Sequence, residues 1–193
     1  MMTSVGKLIL SALCFLVALH VSAQGTELSL VNTMNLVANA LTSRGVLSWT
    51  ETLPDIFGAS YKMNSSLTEV NADPSACSLS WKSIYTSSSD KLIETYLVRL
   101  ESVSSTRVQP YAEYRQSESE QKVEVSPEIF VVEIKTEAPL TRNRELYHGN
   151  KLKSETKLPS DREARVVFAD EQIAKKVADG ISQAAKSCAG KTN

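Results

Sequence analysis

The chain has 193 residues, with 21 Lys and Arg against 22 Asp and Glu, a net charge of −1. So even a balance does not argue for nucleic acid, which would want a strongly basic face. After the first two dozen residues no apolar stretch approaches membrane length, and what remains is one domain's worth of chain, enough to bury a core.

The N-terminus has the three parts of an export signal. Met1 to Lys7 carries one positive charge and no acid, Leu8 to Leu19 is a twelve-residue apolar run, and Val21-Ser22-Ala23 sets short side chains before a cut between Ala23 and Gln24. Twelve residues span roughly 18 Å as a helix, short of the roughly 30 Å of hydrocarbon that a permanent anchor must cross. A lipid anchor would need Cys at the cut. Cys14 instead lies in mid-run, and the first residue after the cut is Gln24. Residues 1–23 therefore read as a cleaved signal, and the protein as secreted or periplasmic. Losing Lys7 reduces the 21 basic residues to 20 against 22 acids, a net charge of −2.

Cleavage also removes one of three cysteines. Cys77 and Cys188 remain, and a pair in an oxidising compartment reads as a disulfide, the alternative being two buried thiols. Closing so long a loop stabilises by roughly 4–5 kcal/mol on chain-entropy grounds. A metal site is disfavoured, because the pair plus His148, the one histidine left after cleavage, falls a ligand short of a zinc set.

In chain order, residues 24–45 hold a helix, read over 27–42. Leu30, Val31, Met34, Val37, Ala38 and Leu41 form one apolar stripe, Thr26 can cap its start, and Gly45 follows its end. The opposite face is Asn and Ser rather than Lys and Arg, so the helix should dock on the domain and not on a membrane surface. Residues 46–189 read as a single mainly-β domain ending in a helix, with 190–193 a tail. Val, Ile, Thr, Tyr and Ser place strands near 46–53, 60–70, 77–87, 91–103, 106–115, 129–136, 151–158 and 163–168. Turns are marked at Asn71–Pro74, Ser87–Asp90 and His148–Asn150. The polar segment 116–128 reads as an exposed loop or edge hairpin. Short connections imply antiparallel meanders. Asp170 then caps a final helix running to about Ala189, with Ile173, Val177, Ile181, Ala184 and Cys188 on its apolar stripe. Cys77, Leu79 and Trp81 share one face of their strand. If that face is inward the last helix must cross it, and the two cysteines can meet.

This order of elements, with the strand-to-helix segment ARVVFADEQIAKKVADGISQAAKSC at 164–188, resembles the pleckstrin-homology-like superfold. That resemblance implies an α+β fold, a half-open antiparallel barrel of about seven strands closed by a C-terminal helix, here with an added N-terminal amphipathic helix. The Cys77-Ser78-Leu79 strand and a helix ending in Cys are also similar to small exported bacterial proteins of unassigned function. Phosphoinositide-binding members of the superfold cluster Lys and Arg near the first strand loops. Here Leu53–Ser60 and Asn71–Ala76 contain Asp55 and Asp73 and no basic residue, so that activity does not carry over.

Catalytic signatures are absent. No Ser stands in a Gly-x-Ser-x-Gly context, His148 sits in a turn, no Gly-rich phosphate loop or dinucleotide fingerprint occurs, and no cofactor is implied. Glu94, Glu101, Glu113 and Glu133 fall on expected strands and are read as solvent-facing, although a converging pair would suit hydrolysis. Arg142, Arg144, Lys151, Lys153, Lys157, Arg162 and Arg165 alternate with acids, the pattern of a solvated hairpin or of an anion-binding patch. The strand aromatics Trp49, Tyr61, Trp81, Tyr85, Tyr96, Tyr111 and Tyr114 read as packing. The expected function is a non-enzymatic exported binding or interaction module, monomeric, with a protein or envelope partner. The alternatives are a secreted hydrolase using strand carboxylates, or a carrier of an apolar ligand, whose interior Trp81, Phe130, Val132 and Ile134 would fill.

Overall fold

The computed structural model describes residues 29–55, 58–119 and 122–190. The signal reading, with Ala23 and Gln24, and the tail from 191 lie outside them. Helix α1 covers 29–43. The strands are β1 (Leu47–Leu53), β2 (Ala59–Asp73), β3 (Ser78–Thr86), β4 (Asp90–Arg99), β5 (Val103–Pro110), β6 (Glu124–Ser126), β7 (Phe130–Thr136), β8 (Thr141–His148), β9 (Lys151–Lys157) and β10 (Glu163–Phe168). Helix α2 (Tyr111–Ser119) follows β5, and α3 (Glu171–Ala189) closes the order.

The fold is α+β, and its strands pair antiparallel in two sheets. The larger runs β6-β1-β2-β3-β4-β8-β9 and the smaller β10-β7-β5. No strand pairing joins them into a barrel among the described residues. No helix among those residues is long and apolar enough to cross a membrane.

Strict alternation along β3 turns Leu79, Trp81, Ser83 and Tyr85 inward, so the large sheet has one covered face. The small sheet is apolar on both faces, as the runs Phe130-Val131-Val132 and Val166-Val167-Phe168 require. On one side Val132, Ile134, Val166 and Phe168 join α1, α3, Leu79, Trp81, Tyr96 and Val98 in the main core. On the other, Val131 and Val167 join Leu47, Trp49, Tyr85, Tyr111, Tyr114 and Ile129. Strand β10 is therefore an edge strand packed inside the molecule. Arg44, just past α1, donates from Nη1 to the Val167 carbonyl at 2.8 Å and from Nη2 to Ser65 Oγ at 3.1 Å. It supplies a partner to an edge carbonyl that water cannot easily serve. Burial lowers the Arg44 pKa to about 10, so it stays charged at neutral pH.

Asp170 caps α3 by accepting from the Ile173 N–H at 2.9 Å. The buried stripe is Ala174, Val177, Ala178, Ile181, Ala184, Ala185 and Cys188. Ile173, expected on that stripe, is exposed, because the helix meets the core only from Ala174 onward. Helix α3 crosses α1 at Gly180, where a Cβ would lie 2.7 Å from Val37 Cγ2. At its far end Cys188 Sγ lies 2.18 Å from Cys77 Sγ, disulfide distance, with 5.8 Å between the Cα atoms. Cys77 adopts φ +47, and its carbonyl accepts from the Leu100 N–H at 2.8 Å.

Several elements depart from the sequence reading. Among the described residues there are ten strands rather than about seven. The expected strand 91–103 is broken by a 3-10 turn at Leu100–Ser102. The expected strand 106–115 ends at Pro110, and Tyr111 begins a helix, so the expected loop 116–128 holds the end of α2, then β6. Tyr111 and Tyr114, three apart on one helix face, bury where alternation suggests a strand. Strand β8 escapes the sequence reading, because TRNRELYH is polar on both faces. Its turn at Gly149, φ +57, stands where the sequence marks it.

Two consequences can be measured. Gly180→Ala should destabilise by about 1–2 kcal/mol, since overpacking exceeds the helix-propensity gain, and adding Val37→Ala should restore most of the loss in denaturant unfolding. Cys77→Ser with Cys188→Ser should lower stability by roughly 4–5 kcal/mol for a pair 111 residues apart, provided non-reducing peptide mapping finds the two cysteines linked.

Candidate binding cleft

Where the small sheet and α2 stop covering the large one, two adjoining cavities open. The first, about 210 Å³, is lined by Glu51, Met63, Tyr85, Leu92, Tyr111 and Asp90 with Arg115, Arg144 and Arg165. The second, about 310 Å³, is almost wholly polar and adds Arg142, Tyr114, Glu118, Asp161 and Glu163. Arg115, Arg144 and Arg165 line both.

Register explains the convergence. On β4 and β8, Glu94 pairs with Arg144, Tyr96 with Arg142, and Leu92 with Leu146. Directly opposed residues share a face, so two arginines stand beside a glutamate on the inner side of the sheet. Arg165 reaches the same glutamate from β10. Glu94, with no exposed surface, sits 3.6 Å from Arg165 Nη2, hydrogen-bonds Arg142 Nη2, and accepts from the Tyr96 hydroxyl at 2.8 Å. Arg142 also bonds Asp161, and Arg165 bonds the Tyr114 hydroxyl.

The electrostatics follow from this packing. Burial alone would raise the Glu94 pKa, but Arg165 and Arg142 outweigh it and hold the carboxyl below its ordinary value. Burial raises Tyr96 well above the ordinary phenol value, and the Glu94 charge adds to that. Burial likewise raises Tyr85, Tyr111 and Tyr114. Glu163 is pushed up by burial and by the nearby charges of Glu133 and Glu118. Glu51 forms a second anchor: it accepts from Trp49 Nε1 and the Tyr111 hydroxyl, each at 3.1 Å, and pairs with Arg115 at 3.6 Å.

The residues singled out in sequence divide between this cleft and elsewhere. Glu94 and Glu133 are not solvent-facing. Glu94 is the buried hub, and Glu133 is buried on the small sheet against Lys135 at 2.8 Å. Glu94 shares the inner face of β4 with Tyr96 and Val98, and Glu133 lies on the small sheet, which is covered on both faces. Glu101 lies in the 3-10 turn and Glu113 is exposed on α2. None of the four lines either cavity. Arg142, Arg144 and Arg165 enter the cleft, whereas Lys151, Lys153 and Lys157 stand exposed on edge strand β9. His148 pairs with Asp90 at 2.9 Å on the surface. Of the aromatics only Tyr61 is exposed. Arg115, Glu51, Met63 and Leu92 carry no signal in the sequence reading. The spacing Arg142-x-Arg144 signals one shared face only once β8 is known to be a strand. No group of three or more His, Cys, Asp or Glu side chains among the described residues could hold a metal ion.

Comparison with protein families, with curated proteins and with solved structures finds no match for this chain.

Replacing the hub tests the electrostatic account. Glu94→Gln should cost about 3 kcal/mol at pH 7, because two guanidiniums lose their buried counter-charge. The folded pKa of Glu94 is depressed, so its contribution is complete above the ordinary carboxylate value and is lost as pH falls through the folded one. The gap between wild type and variant in chemical unfolding should therefore narrow in acid; a gap independent of pH would refute the assignment.

Proposed function

We propose that this chain is an exported, non-enzymatic binding module whose ligand occupies the cleft between β4, β8, α2 and β10. Export rests on the three-part signal at residues 1–23, and the cysteine pair at disulfide distance suits an oxidising compartment. We read the scaffold as a pleckstrin-homology-like arrangement left open along one side, on the strength of its two antiparallel sheets and closing helix. The observation that carries the binding role is the pair of adjoining cavities sharing three arginines over an apolar floor of Met63 and Leu92. Few polar groups converging on an apolar recess is the usual make-up of a ligand site.

The hydrolase alternative gains little support here. Glu94 is held ionised by its arginines and has no exposed surface, so it is poorly placed as an acid or a base. An apolar carrier is equally weakly supported, since the recess among α1, α3 and β3 measures about 10 Å³.

A fragment library screened by amide chemical-shift mapping on the purified protein tests the proposal. Shifts should gather at Leu92, Tyr111 and Arg144, with no turnover on a panel of ester, peptide and glycoside substrates. Shifts confined to other surfaces, or turnover abolished by Glu51→Gln, would overturn it.

A further inference from the structure

We infer that the cleft selects an organic carboxylate with a short apolar body, its headgroup held by Arg144 and its body resting on Met63 and Leu92. This rests on the cleft being a binding site. Arg144 stands apart from its neighbours. Arg142 takes Glu94 Oε1, and the Tyr96 hydroxyl takes Oε2. The Arg144 Nε lies 3.9 Å from Oε1, beyond hydrogen-bond distance, and its side chain is 48% exposed. Among the described residues no acceptor hydrogen-bonds its guanidinium, which presents five N–H donors in a planar fork facing both cavities.

Charge selects among anions. In the first cavity Arg115 pairs with Glu51, Arg165 with Glu94 behind it, and Asp90 with His148, which leaves the single Arg144 guanidinium in surplus. That surplus suits a monoanion. A phosphate dianion would find too little compensation, with Glu118, Asp161 and Glu163 lining the adjoining space. A planar carboxylate also fits a guanidinium fork through two parallel hydrogen bonds. Size sets the body. Apolar cavities of about 150 Å³ hold a benzene ring, so the 210 Å³ here admits an aromatic ring or a chain of roughly six to eight carbons between Met63, Leu92 and the Tyr85 and Tyr111 rings.

The test is calorimetric titration of the purified protein with octanoate, octanamide and inorganic phosphate. Octanoate should bind at least ten-fold more tightly than either control. Arg144→Gln should weaken octanoate about 10–100-fold, the range of a charge-assisted contact, without moving the thermal midpoint, and Arg144→Lys should recover some of the loss. Octanamide binding as well as octanoate, phosphate binding more tightly, or an unchanged Arg144→Gln affinity would each overturn the carboxylate assignment while leaving the cleft as a site for another ligand. Failure of every fragment class to reach the cleft would remove the binding role itself, and the carboxylate assignment with it.

Discussion

Glu94 is the point on which the two sheets turn. A carboxylate with no exposed surface cannot be kept ionised without cations at hand, and here they come from separate regions of the chain: Arg142 from the neighbouring strand β8 and Arg165 from β10 of the other sheet. Such a pair gives little net stability over apolar residues of the same shape. What it imposes is specificity, because any slip in the β4–β8 register would strand three charges in the interior. Arg44 has a comparable role at the other sheet, tying the end of α1 to the buried edge of β10. Polar contacts thus fix where the small sheet lies, while apolar packing on both of its faces holds it there.

The first and last helices are the most legible elements. The stripe of α1 from Leu30 to Leu41 and the Asp170 cap of α3 are local, and local signals survive without tertiary knowledge. The Leu79–Trp81 side of β3 is legible for the same reason, since period-two alternation marks an inner side, although Cys77 precedes the strand with φ +47 and α3 lies chiefly against the small sheet. The segment from Val103 to His148 is harder. Tyr111 and Tyr114 carry strand propensity but follow Pro110, and their three-residue spacing serves a helix. Strand β8 lacks an apolar face because its inner positions, Arg142 and Arg144, face a carboxylate instead of a core.

For the cleft, legibility fails in a specific way. The charges of 142–165 alternate in sign along the sequence, which is the mark of a solvated surface. In space they sort differently: Arg142, Arg144 and Arg165 converge on one buried acid drawn from far upstream on β4, while the lysines go to the exposed edge of β9. The lysines there protect an open strand from unwanted pairing. The sorting follows side-chain chemistry. Guanidinium tolerates desolvation and offers a planar fork, whereas ammonium keeps its water. A sequence rule that distinguished Arg from Lys within a charged segment would divide this one correctly except at Arg162, which is exposed and lines neither cavity.

The same chemistry links stability to recognition. Glu94 has two oxygens, and the hydrogen bonds from Arg142 and Tyr96 claim one each. Arg165 is held between that carboxylate, the Tyr114 ring and Glu118. A third arginine placed opposite Glu94 by strand register finds the best positions taken and is left at 3.9 Å, half in solvent, above Leu92 on the same sheet face. The oversupply of guanidinium at a site already neutralised is not needed to hold the sheets together. A donor fork that folding does not consume, set at the mouth of an apolar recess, is what a binding surface for a small carboxylate requires.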